Sequence, residues 1–288
     1  MKARTTFHGL EAEVLSLSKK GDGSHRVLKV MHEGRPLILK CYGLKVGPLH
    51  AALRQYGVRL IIGKSAYSVA GRFNTERRVL ELWRREGFDV PGISAPSFLS
   101  EIAQPCLALE WIPGPTLASV LRSPDESLGR KRELIEKFAQ VMGKRHERAI
   151  ALREPSFMFE HPTFNHVIVS GDRLVHFDFE IAFTQKNNIE RIARHELAGF
   201  LYAMPRSNRE HFPCLLEALV TAYPDRARIK QALTELKAFG TVPLLGWLEV
   251  FQKYFRFFKR YKKISAEAGA LDALLAAQAG QQNYNRCD

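Results

Sequence analysis

Apolar and polar positions alternate differently in the two halves of the chain, strand-like at first and helix-like later. Short apolar runs at residues 11–18, around Val14 and Leu15, and at 26–31 and 36–41 read as three strands. Turn-forming residues at 19–24 (Lys-Lys-Gly-Asp-Gly-Ser) and at 32–34 (His-Glu-Gly) separate them, which predicts an antiparallel meander. Residues 43–71 are mixed. Over 72–86, Phe73, Leu80 and Trp83 recur among charges in the pattern of an amphipathic helix, and Gly87 ends it. Residues 90–97 read as extended. Cys106, Leu107, Ala108 and Leu109 form a short apolar strand that runs into Glu110-Trp111-Ile112-Pro113-Gly114-Pro115, where a boundary is expected. Residues 130–152 and those after 190 are helical in pattern, interrupted by two short strands on either side of Ser170-Gly171-Asp172. The expected class is α+β: a small antiparallel-sheet N-lobe with one helix, residues 1–110, and a larger helical C-lobe, residues 111–288, holding one hairpin.

Composition narrows the functional classes. The 288 residues are 45% hydrophobic and 25% charged, which suits a globular enzyme and not a disordered chain. The early basic residues have no apolar run behind them, so no secretory signal is read. The most apolar segment, residues 268–279, is interrupted by Asp272 and Gln278, so no membrane span is predicted and a cytoplasmic location is expected. Cys41, Cys106, Cys214 and Cys287 lack CxxC spacing and read as reduced thiols. A formal net charge of +13 points to an anionic partner: nucleic acid, acidic lipid headgroups or a phosphorylated sugar. No helix-turn-helix, zinc-finger or RNA-recognition signature accompanies the charge, and no nucleic-acid partner is expected.

The chemistry centres on residues 165–178. Asn165 stands just before the first strand of the hairpin and Asp178 just after the second, so the hairpin brings an amide oxygen and a carboxylate side by side. Such hard oxygen ligands suit Mg2+ carrying the phosphates of a nucleotide. Asn and Asp also cap strands and open turns with no metal involved.

In this order of elements the chain resembles the protein-kinase-like superfamily over roughly residues 10–200, and most nearly the bacterial lipopolysaccharide-core (Kdo/heptose) kinases. The resemblance implies a two-lobed kinase-like fold and an ATP- and Mg2+-dependent transfer of phosphate to an alcohol. Gly21, Gly23 and Ser24 sit where the phosphate loop belongs, although they match GxGxxG poorly and also make an ordinary turn. Lys40 resembles the third-strand lysine that holds phosphates, and Glu76, in preference to Glu81, its helix partner. Residues 107–117 are similar to the hinge, with backbone groups of Glu110 and Ile112 expected to read adenine.

The catalytic loop departs from the pattern. Where the family carries His-x-Asp, this chain has Met158-Phe159-Glu160, making Glu160 the expected catalytic carboxylate and His161 the alternative base. His161, His166 and His176 lack the spacing of a metal cluster. After Asp178 the usual Phe-Gly is Phe179-Glu180, so Glu180 would cap the next segment or add a carboxylate near the metal. The basic, aromatic-rich residues 251–263 read either as a last core helix or as a surface for an anionic membrane. The expected function is phosphorylation of a sugar hydroxyl of lipopolysaccharide core or a related envelope glycolipid. The alternatives are a protein Ser/Thr kinase and a pseudokinase scaffold that binds nucleotide without transferring phosphate.

Overall fold

The computed structural model describes residues 4–17, 25–43, 64–65 and 67–238. Gly21, Gly23, Ser24 and residues 251–263 lie outside the described residues.

Among the described residues the architecture is α+β, with a six-stranded antiparallel sheet, a two-stranded hairpin and helices. Strands β1 (Arg4–Phe7), β2 (Leu10–Leu17), β3 (Arg26–His32) and β4 (Arg35–Cys41) form a meander. Strand β6 (Cys106–Glu110) pairs antiparallel with β4, and β5 (Ile93–Ser94) completes the edge on β6. The apolar pattern did not predict β1, because Phe7 is its one inward side chain. A turn through His8 and Gly9, at φ 46° and 75°, folds it onto β2; two successive positive φ values match the twist of a hairpin.

Period-2 alternation assigns the faces of the sheet. Leu28, Val30, Leu39, Cys41 and Ala108 share one apolar layer with Phe7 and Ala12, closed over by Ile102 and by Phe98 and Leu99 of a 3-10 turn, Ser97–Glu101. Lys40 and its cross-strand neighbour Leu107 point to the other face. Helix α1 (Val69–Arg85) packs against β5 and β6. It starts three residues before the amphipathic pattern because the Ser68 side chain caps it, accepting from the Gly71 N–H at 3.0 Å. Gly87, at φ 80°, terminates it.

The chain leaving β6 is pinned to the hairpin of β7 (Val167–Ser170) and β8 (Arg173–His176). Val169 N–H donates to the Pro115 carbonyl at 2.9 Å, and Thr116 bridges to Ile168. Gly114 makes this approach feasible: it sits at φ 134°, and a Cβ there would fall 2.0 Å from the Val169 carbonyl oxygen. A short helix α2 (Leu117–Arg122), capped by Thr116, follows.

The remaining helices are α3 (Leu128–Leu152), α4 (Ile189–Ser207), α5 (Phe212–Ala222) and α6 (Arg226–Ala238). By contacts the chain divides into two compact units, one within Met1–Glu126 and Lys144–Ile192, the other within Ser127–Gly143 and Ala193–Asp288. The first unit takes in both the sheet and the hairpin. In the second unit, Phe138 meets Phe200 edge-on with ring centroids 4.8 Å apart, and Gly143 admits Pro224 so closely that a Cβ would lie 2.3 Å from its ring. No helix among the described residues is long and apolar enough to cross a membrane.

Candidate functional site

All the site residues described here belong to the first unit. At its centre the Lys40 ammonium stands among three carboxylates: Glu76 Oε2 at 2.7 Å, Asp178 Oδ1 at 2.5 Å and Glu180 Oε1 at 3.1 Å. Burial alone would pull the Lys40 pKa down, but Asp178, Glu76 and Glu180 more than offset it, and the ammonium is held protonated. Glu76 reaches Lys40 from α1 and also accepts from the Tyr42 hydroxyl at 2.5 Å. Burial raises Glu76 above the usual carboxylate range, against the attraction of Lys40, and burial together with the Glu76 charge raises Tyr42. Glu81 faces away from this cluster, ion-paired with Arg77 on the exposed side of α1 at 3.0 Å.

Arg72 anchors the cluster from the first turns of α1. Its Nη1 donates to Glu180 Oε2 at 3.0 Å and its Nη2 to the Gly43 carbonyl, while His25 lies between Arg72 and Glu180, with Nδ1 3.5 Å from Arg72 Nη1 and Nε2 3.4 Å from Glu180 Oε1. Neither Arg72 nor His25 carries a motif signal. Both are long-range partners that only folding brings to Glu180.

The β7–β8 ladder runs from Ser170↔Arg173 to Val167↔His176, and the Phe177 N–H, bonded to the His166 carbonyl at 3.1 Å, extends it one step toward Asn165 and Asp178. Asn165 and His166 stand just before β7. They form a 3-10 turn, Phe164–His166, capped by Thr163, because the Thr163 hydroxyl accepts from the Asn165 N–H at 3.3 Å. Asn165 is exposed, with its Oδ1 3.5 Å from Arg122 Nη2. Asp178 adopts φ 71°, a left-handed conformation that Asp tolerates better than most residues. His166 Nε2 is 3.5 Å from Asp178 Oδ2, and burial keeps the imidazole below its ordinary pKa despite the Asp178 charge.

Glu160 lies in the same electrostatic neighbourhood, since its charge and those of Asp178, His161 and Lys40 all act on His166. Both of its oxygens are engaged: Oε1 is 2.5 Å from Lys64 Nζ, and Oε2 is 2.5 Å from His161 Nε2. Burial would raise its pKa, but the His161 hydrogen bond and the Lys64 charge overcome that and bring it to about 2. Lys64, like Arg72 and His25, has no signal in the sequence, because it falls in the mixed stretch 43–71. Its position comes from pairing with the segment after Asp178: Lys64 bridges Phe183, and Ser65 N–H donates to the Ala182 carbonyl at 2.8 Å.

An aromatic core sets the relative positions of these loops. Trp83 of α1 lies 4.6 Å from Phe179 and 5.5 Å from both Phe159 and His176, centroid to centroid. Its indole N–H donates to the Ser156 carbonyl at 3.1 Å, and the Arg145 guanidinium stacks 5.0 Å from its ring. Residues 155–160 and 176–179 are thereby packed on the same helix that supplies Glu76.

The donor chemistry fits a hard divalent cation such as Mg2+. Glu76, Asp178 and Glu180 each offer an oxygen within 4.8 Å of the others, and Asp178, 36% exposed, is the one that a hydrated cation can approach. Glu110 ends β6 with its carboxylate accepting from the Gly92 N–H at 3.1 Å, while Ile112 is buried just beyond. No protein-family model matches the chain, and no curated protein matches it in sequence.

Proposed function

We propose that the chain is an ATP- and Mg2+-dependent phosphotransferase of kinase-like fold, acting in the cytoplasm on a sugar hydroxyl of lipopolysaccharide core or a related envelope glycolipid. The observation that carries this reading is the clasp of Lys40, on an inner strand, by a helix carboxylate, Glu76, and by Asp178 at the foot of the hairpin. A buried ammonium kept charged by its neighbours, beside a partly exposed carboxylate, suits nucleotide phosphates and their counterion.

Asp178 and Asn165 are the residues to hold Mg2+, with Glu180 beside them; the cation, when bound, offsets the charge of the phosphates. Lys40 binds phosphate oxygens, and Glu76 orients Lys40. Backbone groups of Glu110 and Ile112 receive the base. Glu160, ionised down to a pKa of about 2, is a weak proton acceptor, and its part is to align the acceptor hydroxyl. The net charge of +13 favours a phosphorylated, anionic acceptor and contact with an anionic membrane face.

The test is ADP formation by purified protein with core oligosaccharide as acceptor. Acceptor-dependent turnover that Asp178→Ala abolishes is expected. An absence of acceptor-dependent ADP, or equal rates in Asp178→Ala and wild type, would overturn it.

The engagement of both Glu160 oxygens favours one second reading, a module that binds nucleotide without transferring phosphate. MgATP-dependent thermal stabilisation with no turnover on any acceptor would select it.

A further inference from the structure

Cys41 and Cys106 are far apart in sequence and lack any redox-motif spacing, yet they face each other directly across β4 and β6. The ladder specifies what kind of pair they make. Tyr42 N–H donates to the Pro105 carbonyl at 2.9 Å, so the 42/105 position is a hydrogen-bonded one. Bonded and non-bonded positions alternate in an antiparallel pair, which makes 41/106 a non-hydrogen-bonded position. At such positions opposing Cα atoms approach to about 4.5 Å, inside the range of about 4.4–6.8 Å that a disulfide requires, with both Cβ atoms on one side of the sheet.

We propose that Cys41 and Cys106 are a redox-active dithiol that closes to a cross-strand disulfide on reaction with a low-molecular-weight disulfide such as oxidised glutathione. Both cysteines are free thiols in the structure. They hydrogen-bond to each other, which lowers the pKa of Cys41 and raises that of Cys106. The Arg26 guanidinium, across the ladder from Cys41, also favours the thiolate.

Cys106 is partly exposed and Cys41 fully buried, so the external disulfide is met at Cys106, its proton passing to Cys41. The Cys106 thiolate attacks one sulfur of oxidised glutathione, the glutathione S–S bond breaks, and one glutathione leaves as a thiol after protonation. Cys41 then gives up its proton and attacks the mixed disulfide at Cys106, releasing the second glutathione. Two protein thiols are oxidised and one glutathione disulfide is reduced to two thiols. The bond would lie one residue from Lys40 and at the start of the strand that ends in Glu110, on the sheet face opposite Lys40.

The experiment equilibrates the full chain in graded ratios of oxidised to reduced glutathione, quenches in acid, alkylates under denaturing conditions and maps the peptides. A Cys41–Cys106 linked peptide is expected to rise with the ratio and to vanish with dithiothreitol, while Cys214 stays alkylated. Cys106→Ser should leave Cys41 unlinked at every ratio. The proposal is overturned if Cys41 alkylates fully at the most oxidising ratio, if either cysteine is linked instead to Cys214, Cys287 or a second chain, or if Cys41 is still found in a disulfide in Cys106→Ser.

Discussion

Lys40 among Glu76, Asp178 and Glu180 is an ionic group whose members depend on one another. Two of the three carboxylates are almost wholly buried, so removing the ammonium leaves them without their shared cation. Lys40→Met is expected to lower stability by about 3 kcal/mol in urea denaturation and to abolish stabilisation by MgATP. Asp178→Asn separates fold from charge. Asn tolerates the left-handed conformation of residue 178, so its melting temperature should stay near wild type while the MgATP effect is lost. Glu160 makes a prediction about pH. Its pKa in the folded protein is depressed from the ordinary 4.5 to about 2, so the ionised carboxylate contributes stability that is fully present above pH 4.5. That contribution is lost as pH falls toward 2 and amounts to at most about 3 kcal/mol. Glu76 is shifted the opposite way, so the measurement is the difference between wild type and Glu160→Gln in acid denaturation; the two curves should converge only as pH falls to about 2. Lys40, Glu76, Asn165, Asp178 and Glu160 were all legible as candidates from residue type and spacing. Lys64, Arg72, His25 and Tyr42 were not, because each acts on a residue far away in sequence.

Helix α1 and the segment after β6 position the site. Trp83 is fully buried among Phe157, Phe159, Phe179 and His176, and truncating it removes the surface on which residues 155–160 and 176–179 are packed. Trp83→Ala should cost about 3–5 kcal/mol in chemical denaturation. Gly114→Ala tests the pinning of residues 113–116 to β7. A Cβ at a residue with φ 134°, only 2.0 Å from the Val169 oxygen, forces the strands apart, so a clear fall in melting temperature is expected. The meander, α1 and the hairpin followed from periodicity and turn chemistry, with ends displaced by a few residues. β1 escaped because a single inward Phe7 leaves no apolar period to read. The Thr163 cap holds residues 164–166 in a 3-10 turn, so the strand begins at Val167.

For the molecule as a whole, ligand binding and stability are linked. If MgATP binds the folded chain alone, a concentration 100-fold above Kd stabilises it by about 2.7 kcal/mol, read as a rise in melting temperature. With a net charge of +13, affinity for an anionic acceptor should fall as ionic strength rises. The α+β class and the placement of a lysine, a helix glutamate and a hairpin aspartate in that order were written in residue pattern alone, because strand alternation, helical period and turn residues are local properties of the chain. The company that Lys40 keeps, the two partners that hold Glu160 ionised and the pairing of Cys41 with Cys106 were decided by tertiary structure. Each depends on strand register or on helix packing between distant segments: a one-residue change of register in β4 or β6 would turn Lys40, Cys41 or Cys106 to the other face.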